Sequence, residues 1–191
     1  ILADGVIGQM MEKVVLPEQR TRLTDEEVIA RCPWATTGRT HHRTPNIITS
    51  LELDPAEMEK RNIHLQKKYA EIEENEVRFE ELHCEDAEYL IVAFGSCARI
   101  AQKAMEMARE EGIKVGLLRP ITLWPFPSKA IAARAAQVKG ILTVELNAGQ
   151  MVEDVRLAVE CKVPVEHFGR LGGIVPDPDE VITALKEKLI K

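Results

Sequence analysis

The sequence predicts an α/β protein whose C-terminal half is a doubly wound, mostly parallel sheet. From residue 85 onward, short apolar runs without alternation recur four times, as in strands that are buried on both faces. A stretch with amphipathic helical spacing follows each run, and helices that alternate with parallel strands cover both faces of one sheet. We therefore divide the chain into residues 1–84, which are irregular and mostly helical, and residues 85–191, the α/β domain.

The sequence of the first 84 residues predicts separate helices followed by one edge strand. Residues 1–3 have the composition of a strand end, and residues 31–46 have that of a loop. Thr24 precedes three acidic residues, the pattern of a helix start. Pro55 suits the first position of a long helix. The predicted elements are a short helix over 5–15, a second helix after Thr24, a long helix over 55–74 and an alternating edge strand over 77–82.

The sequence of the α/β domain predicts four strands, each followed by a helix. Gly95, Gly112 and Gly140 mark boundaries between the apolar runs and the helical stretches. Ser128 is expected to cap the second helix of this domain. The predicted strands cover 89–94, 115–118, 141–144 and 164–168, and the predicted helices cover 98–111, 128–136, 151–160 and 177–191.

Composition and charge argue against several functional classes. The 191 residues carry a net charge of −6, whereas proteins that bind nucleic acid present basic patches to the phosphates. No apolar run approaches the roughly 18 residues that a bilayer requires, and no secretory signal is visible. The four cysteines form no C-x-x-C pair, and His41 and His42 have no partner acids at ligand spacing. We expect a cytoplasmic protein with no membrane, nucleic-acid or metal site.

The predicted carboxyl end of the sheet holds the candidate binding residues, since ligands of open parallel sheets bind there. Gly95 and Ser96 begin a helix and form a weak candidate for an anion site; the alternative is an ordinary tight turn with a serine cap. The dinucleotide pattern G-x-G-x-x-G is absent.

Two other segments are candidates for contact with a neighbouring domain or subunit. Glu145, Asn147 and Gln150 follow a predicted strand end, although Asn147 is also suited to capping the next helix. Trp124 and Phe126 lie in a run with three prolines, which holds them on an extended loop. No pair of nucleophile and base emerges, so no residue is predicted to be catalytic.

Three segments together resemble a known enzyme family. They are Phe94-Gly-Ser96, Leu117-Leu-Arg-Pro-Ile-Thr-Leu-Trp-Pro-Phe-Pro127 and Val144-Glu-Leu-Asn-Ala-Gly-Gln150. The chain is similar to the alpha subunit of the 2-oxoacid:ferredoxin oxidoreductases, of the 2-ketoisovalerate type. Leu2–Met11 resembles the end of that subunit's thiamine-enzyme pyrimidine-type domain, and residues from about 85 resemble a transketolase C-terminal-like domain. Because Ile1 stands inside an apolar element, we expect a fragment of a longer chain.

The resemblance implies an enzyme complex that oxidatively decarboxylates a 2-oxo acid with coenzyme A, giving acyl-CoA, carbon dioxide and reduced ferredoxin. Thiamine diphosphate and magnesium are expected on a beta subunit, and iron–sulfur clusters on a ferredoxin-like subunit. The substrate-contacting residues of such alpha subunits would precede Ile1. The resemblance therefore implies that these residues bind no cofactor alone, are inactive alone, and serve a structural or docking role.

Two alternatives stay open from the sequence. One is a transketolase-type dehydrogenase subunit, which shares the C-terminal fold but has no ferredoxin partner. The other is a stand-alone α/β module that binds a phosphate or a nucleotide at Gly95 and Ser96.

Overall fold

The computed structural model describes residues 5–11, 13–35 and 47–190. The predicted strand end over 1–3 lies outside these residues, as do Lys191 and most of the predicted loop over 31–46, including His41 and His42. The described chain divides into two compact units. Residues 8–66 form one unit, and residues 67–190, together with 5–7, form the other. The predicted domain boundary at residue 84 stays a prediction.

Local capping signals start the helices of residues 8–66. Helix α1 spans Asp25–Arg31, and Thr24 and Glu27 form a capping box in which each side chain accepts a hydrogen bond from the other's backbone N–H. Helix α2 spans Pro55–Asn75, with the Asp54 carboxylate accepting from the first backbone N–H groups. Both predicted helix starts are confirmed. No residue of α2 is fully buried.

The second unit is built on a five-stranded sheet. In chain order the strands are β1 (Phe79–Leu82), β2 (Tyr89–Ala93), β3 (Val115–Pro120), β4 (Gly140–Glu145) and β5 (Val165–Gly169). Their order across the sheet is β1-β3-β2-β4-β5. Strand β1 pairs with β3 in the antiparallel direction at the edge, and the other pairs are parallel. The predicted edge strand and parallel sheet are confirmed.

Helices cover both faces of this sheet. Helices α3 (Gly95–Glu110) and α6 (Pro178–Leu185) cover one face, and α4 (Ser128–Ala135) and α5 (Met151–Val159) cover the other. Consecutive strand residues point to opposite faces. Leu90, Leu118 and Ile141 therefore belong to the core beneath α4 and α5, and their neighbours Ile91, Leu117 and Leu142 to the core beneath α3 and α6. The doubly wound arrangement follows from strands that are apolar on both faces.

Several predicted boundaries differ from the observed ones. The helix predicted over 5–15 is a short 3₁₀ helix, Gly5–Gln9, in a stretch whose two glycines disfavour a longer helix. Helix α3 begins at Gly95 rather than at residue 98. Ser128 is the first residue of α4 rather than its cap, because the Pro127 carbonyl already accepts from Ile131. After α6, a π-helical turn continues over Lys186–Ile190.

Candidate functional site

The chain reverses its direction of winding between β2 and β4, which lie side by side in the sheet. The helix after β2 packs on one face, and the helix after β4 packs on the other. In open α/β sheets the crevice at such a switch point, outside the carboxyl ends of the strands, is the usual ligand site. The segments at this point are Gly95–Ser96 after β2 and the loop from Glu145 to Gln150 after β4.

Gly95 and Ser96 form the first turn of α3. The φ of Gly95 is +56°, a left-handed conformation that glycine adopts without strain. Phe94 occupies the N-cap position, with no hydrogen bond from its side chain to the helix, so Ser96 lies within the first turn rather than at the N-cap. Ser96 is buried. The anion site at this turn stays a prediction.

Glu145 lies inside the molecule and holds the start of α5. Its side chain is 1% exposed. One carboxylate oxygen accepts from the backbone N–H groups of Gln150 at 3.2 Å and Met151 at 2.9 Å, and the other accepts from that of Val152 at 3.0 Å. These are donors that a helix leaves unpaired at its N-terminus, and a carboxylate there is favoured by the helix dipole. Glu145 thus completes α5 from the end of β4.

Asn147 and Gln150 remain at the surface of the same loop. The Asn147 side-chain oxygen accepts from the Gly149 backbone N–H at 2.7 Å, which shapes the turn rather than capping the helix. Gln150 occupies the N-cap position without a capping hydrogen bond from its own side chain. The proposed interface role of these residues stays a prediction. For Glu145 such a role would have to be indirect, through the loop that its carboxylate fixes.

His167 completes this cluster, and sequence reasoning did not identify it. Its Nδ1 atom lies 3.5 Å from a Glu145 carboxylate oxygen and 3.2 Å from the Thr143 hydroxyl. The His167 side chain is 20% exposed, whereas Thr143 and Glu145 are fully buried. In the tautomer that carries its proton on Nδ1, the ring donates toward both partners, and these contacts orient it. The pairing of β4 with β5 places Thr143 opposite His167. The sequence could have indicated this contact only if β4 and β5 had been known to be neighbours.

Close backbone packing surrounds the His167 ring. A Cβ atom at Gly169 would stand 2.2 Å from the Asn147 carbonyl oxygen and 2.6 Å from the His167 Nε2 atom. Only glycine leaves room for that approach. The cluster therefore offers an oriented imidazole beside a buried carboxylate, and its buried Thr143 hydroxyl is not exposed to act as a nucleophile.

Trp124 and Phe126 lie elsewhere on the same unit, on the loop that leads from β3 to α4. The Trp124–Pro125 peptide bond is cis. Trp124 is 56% exposed, and Phe126 is half-buried against the core beneath α4. The loop lines a groove of about 750 Å³. None of Glu145, Asn147 and Gln150 is among its lining residues, so the predicted interface residues belong to two separate surfaces.

Ion pairs tie the edge of the sheet to the helices. Arg134 of α4 donates to both carboxylate oxygens of Glu81, at 2.6 and 2.8 Å, and both side chains are 23% exposed. These hydrogen bonds lower the pKa of Glu81 and raise that of Arg134. Nearby, burial raises the pKa of the Cys84 thiol to about 11. The thiol donates toward the Leu117 carbonyl at 3.4 Å.

The described residues contain neither a cluster of metal-ligating side chains nor a helix that could span a membrane. No three histidine, cysteine, aspartate or glutamate side chains there come together in a way that could hold a metal ion. None of the helices in the described ranges has both the length and the apolar character needed to cross a membrane.

The chain is similar in sequence to subunits of 2-oxoacid oxidoreductases. Residues 87–181 match the family described as pyruvate:ferredoxin oxidoreductase core domain II. The ketoisovalerate oxidoreductase subunit VorB of Methanothermobacter marburgensis is 43% identical over 98% of this chain and 51% of its own length. The 2-oxoglutarate synthase subunit KorA of Archaeoglobus fulgidus is 31% identical over 93% of this chain and 49% of its own length. The chain thus spans about half the length of these curated relatives.

Solved structures extend the likeness to the fold. The 2-oxoglutarate:ferredoxin oxidoreductase from Magnetococcus marinus, solved with 2-oxoglutarate, coenzyme A and succinyl-CoA bound, matches with a TM-score of 0.62 and 25% identity, over 71% of this chain and 24% of that one. A split-gene transketolase matches with a TM-score of 0.51 and 20% identity, over 59% of this chain and 41% of that one, which is a likeness of fold alone. The predicted transketolase C-terminal-like fold is confirmed. The chain belongs to the 2-oxoacid:ferredoxin oxidoreductase family and contains its core domain II.

Proposed function

We propose that this chain is the structural and subunit-docking part of an alpha-type subunit in a ferredoxin-dependent 2-ketoisovalerate oxidoreductase. The complex would convert a branched 2-oxo acid and coenzyme A to a branched acyl-CoA and carbon dioxide. The electron pair released by the decarboxylation would pass, one electron at a time, to oxidised ferredoxin. The observation that carries the proposal is the 43% identity to a ketoisovalerate oxidoreductase subunit over nearly the whole chain, against 31% to a 2-oxoglutarate synthase subunit.

The partners follow from the same proposal. A thiamine-binding beta subunit would supply thiamine diphosphate and magnesium, and a ferredoxin-like subunit would supply the iron–sulfur clusters. The complex would work in the cytoplasm, and free ferredoxin would meet it there. No catalytic step is assigned to a residue of this chain, because Thr143 and Glu145 of the cluster at the switch point are buried and the Glu145 carboxylate already accepts from three backbone N–H groups.

Exposed apolar side chains support a docking role. Around the loop after β3, Ile121, Leu123 and Trp124 each expose about half of their surface. In residues 8–66, Met11, Leu16 and Ile47 are almost entirely exposed. Contiguous apolar surface on a soluble protein usually marks a site of protein–protein contact. Asn147 and Gln150 add hydrogen-bonding groups at the rim of the sheet.

Reconstitution tests the function directly. The chain, within its alpha-type subunit, would be co-expressed with the thiamine-binding and ferredoxin-like subunits and assayed for ferredoxin reduction. We expect activity to require coenzyme A and kcat/KM to be higher for 2-ketoisovalerate than for 2-oxoglutarate or pyruvate. The 191 residues alone should turn over none of these acids. A preference for 2-oxoglutarate, or turnover by the chain alone, would contradict the proposal.

Docking is tested by association of the subunits. Trp124→Ala removes an exposed aromatic anchor, and large side chains of this kind carry much of the energy of an interface. We expect the variant to bind the partner subunits at least tenfold more weakly. Asn147→Ala tests the rim in the same way. Unchanged association of both variants would contradict the proposed docking surfaces.

A further inference from the structure

A groove with a mostly apolar lining lies beside the Trp124 loop. It lies between the C-terminal end of α2, strand β1 and the start of α4. Its apolar lining includes Val77, Phe79, Trp124, Pro125, Phe126 and Pro127. Trp124 and Phe79 both leave part of their rings exposed to solvent. At about 750 Å³, it falls within the range of pockets that enclose a small ligand or several side chains.

Local contacts hold the groove in shape. The Thr122 hydroxyl donates to the Pro125 carbonyl at 2.8 Å and fixes the turn that carries Trp124. The Tyr69 ring meets the Trp124 ring edge-on, with centroids 5.7 Å apart. A binding surface that is already ordered loses little conformational entropy when a partner arrives.

Glu73 and Glu74 line one side of the groove together with Lys129, and the neighbouring Glu71 and Glu76 are outside its lining. Glu71, Glu73 and Glu74 lie in the last turns of α2, and Glu76 follows the helix, which has no basic residue in its last turn. The C-terminal end of a helix carries partial negative charge, so carboxylates there raise the negative potential further. Glu74 pairs with Lys129 at 3.1 Å and Glu76 with Arg78 at 3.2 Å. Glu71 and Glu73 form no ion pair with any other described residue.

We propose that this groove receives an extended segment of a partner subunit in which a lysine or arginine stands next to apolar residues. The proposal rests on the function proposed above, since it names the chemistry of the chain that docks there. A cationic side chain would lie against the exposed faces of Trp124 and Phe79 and be attracted by Glu73. The neighbouring apolar residues would cover the prolines and Val77.

A peptide probe tests the chemistry of the groove without any enzyme assay. The chain has two tryptophans, so a Trp34→Phe background leaves Trp124 as the sole emitter. The probe is a capped hexapeptide, Pro-Leu-Arg-Pro-Leu-Lys, and its matched control carries glutamate in place of both basic residues. We expect the basic peptide to shift the Trp124 emission and to bind at least tenfold more tightly than the acidic one, with affinity falling as salt rises.

Variants of the chain locate the binding. Because a partly exposed charge pair contributes modestly, we expect Glu73→Gln combined with Glu74→Gln to weaken basic-peptide binding about three- to tenfold. Trp124→Ala should weaken binding of the basic peptide about thirtyfold, measured by calorimetry, because the peptide would bury this aromatic side chain. Glu187→Gln removes one carboxylate charge at an exposed position outside the groove and should bind like the parent. Circular dichroism confirms that each variant is folded.

Assembly of the complex identifies the occupant. Glu73→Lys in the alpha-type subunit should weaken association with the partner subunits about tenfold, and Glu187→Lys should not. Equal binding of the basic and acidic peptides, or unchanged association of Glu73→Lys, would overturn the proposal. So would dimerisation of the chain that Trp124→Ala abolishes, since a second copy would then be the occupant. Absence of keto-acid turnover, with charge-selective peptide binding intact, would contradict only the proposed function.

Discussion

Replacing Glu145 by alanine should destabilise the fold more than any other single change of a charged residue in the α/β unit. The substitution removes the acceptor for three backbone N–H groups at the start of α5. The hydrogen bonds to Met151 and Val152 are buried, and the one to Gln150 is partly buried. Solvent can replace the carboxylate at Gln150 but not readily at the other two.

The magnitude follows from those two buried donors. Each buried N–H group left without an acceptor costs about 1–3 kcal/mol, so Glu145→Ala should lower the free energy of unfolding by about 4 kcal/mol. Glu145→Gln keeps one acceptor oxygen but loses the charge. Because hydrogen bonds to a charged group are about twice as strong as neutral ones, this variant should lose about 2 kcal/mol.

Urea unfolding followed by far-ultraviolet circular dichroism measures both variants, with free energies obtained by linear extrapolation. Glu153→Ala is the matched control, since Glu153 is an exposed acid in the first turn of the same helix. Its loss should cost only a few tenths of a kcal/mol, as a surface charge near a helix dipole does. If the free energy of unfolding of Glu145→Ala lies within about 1 kcal/mol of that of Glu153→Ala, the Glu145 carboxylate does not stabilise the start of α5.

Three further predictions concern the edge of the sheet and its close contacts. Glu81→Gln should lower the free energy of unfolding by about 2 kcal/mol at pH 7, because the charge of Arg134 is left without its partner in a half-buried place. Arg134 lowers the pKa of Glu81 in the folded protein. The difference in unfolding free energy between parent and variant should therefore shrink as the pH falls below 4.5. Burial raises the pKa of the Cys84 thiol from 9.0 to about 11, so this thiol ionises at lower pH in the unfolded chain than in the folded one. Its contribution to stability therefore falls as the pH rises from 9.0 to about 11. In thiol labelling at pH 8, exposed Cys161 should react before Cys84. Gly169→Ala should lower the free energy of unfolding by about 3 kcal/mol, because its Cβ would overlap a carbonyl oxygen, as thermal unfolding can measure.

Each of these three has a control within the chain. Glu76→Gln breaks an exposed pair with Arg78 and should cost less than about 1 kcal/mol; an equal cost at Glu81 would show that partial burial adds nothing. Gly8→Ala introduces a Cβ with no atom within 4 Å, and it should leave the free energy of unfolding unchanged. Labelling of Cys84 at the rate of Cys161 would contradict its burial.

Features governed by neighbouring residues were predictable from the sequence. The Thr24 side chain bonds a backbone group three positions away and marks the start of α1. Pro55 marks the start of α2 because its backbone geometry suits the first helical position. Strand β2 is apolar throughout, strand β4 is apolar apart from Thr143 and Glu145, and both are buried on both faces. This composition indicates the central strands of a parallel sheet.

The arrangement around Glu145 was not predictable in the same way. Capping rules examine the residue at the N-cap position, which favours Asn147, whereas the acceptor comes from the end of a strand five to seven residues before its donors. His167 and Gly169 join the cluster because β5 lies beside β4. That neighbourhood results from the packing of the whole sheet, and no local spacing encodes it.

The short outer strand β1 has a consequence for the behaviour of the protein at high concentration. It contains four residues, and two of them, Glu80 and Glu81, are acidic. An exposed edge strand can pair with strands of other chains and so extend the sheet. A short edge strand with charged side chains opposes such pairing. Self-association by sheet extension is therefore disfavoured on this side of the molecule.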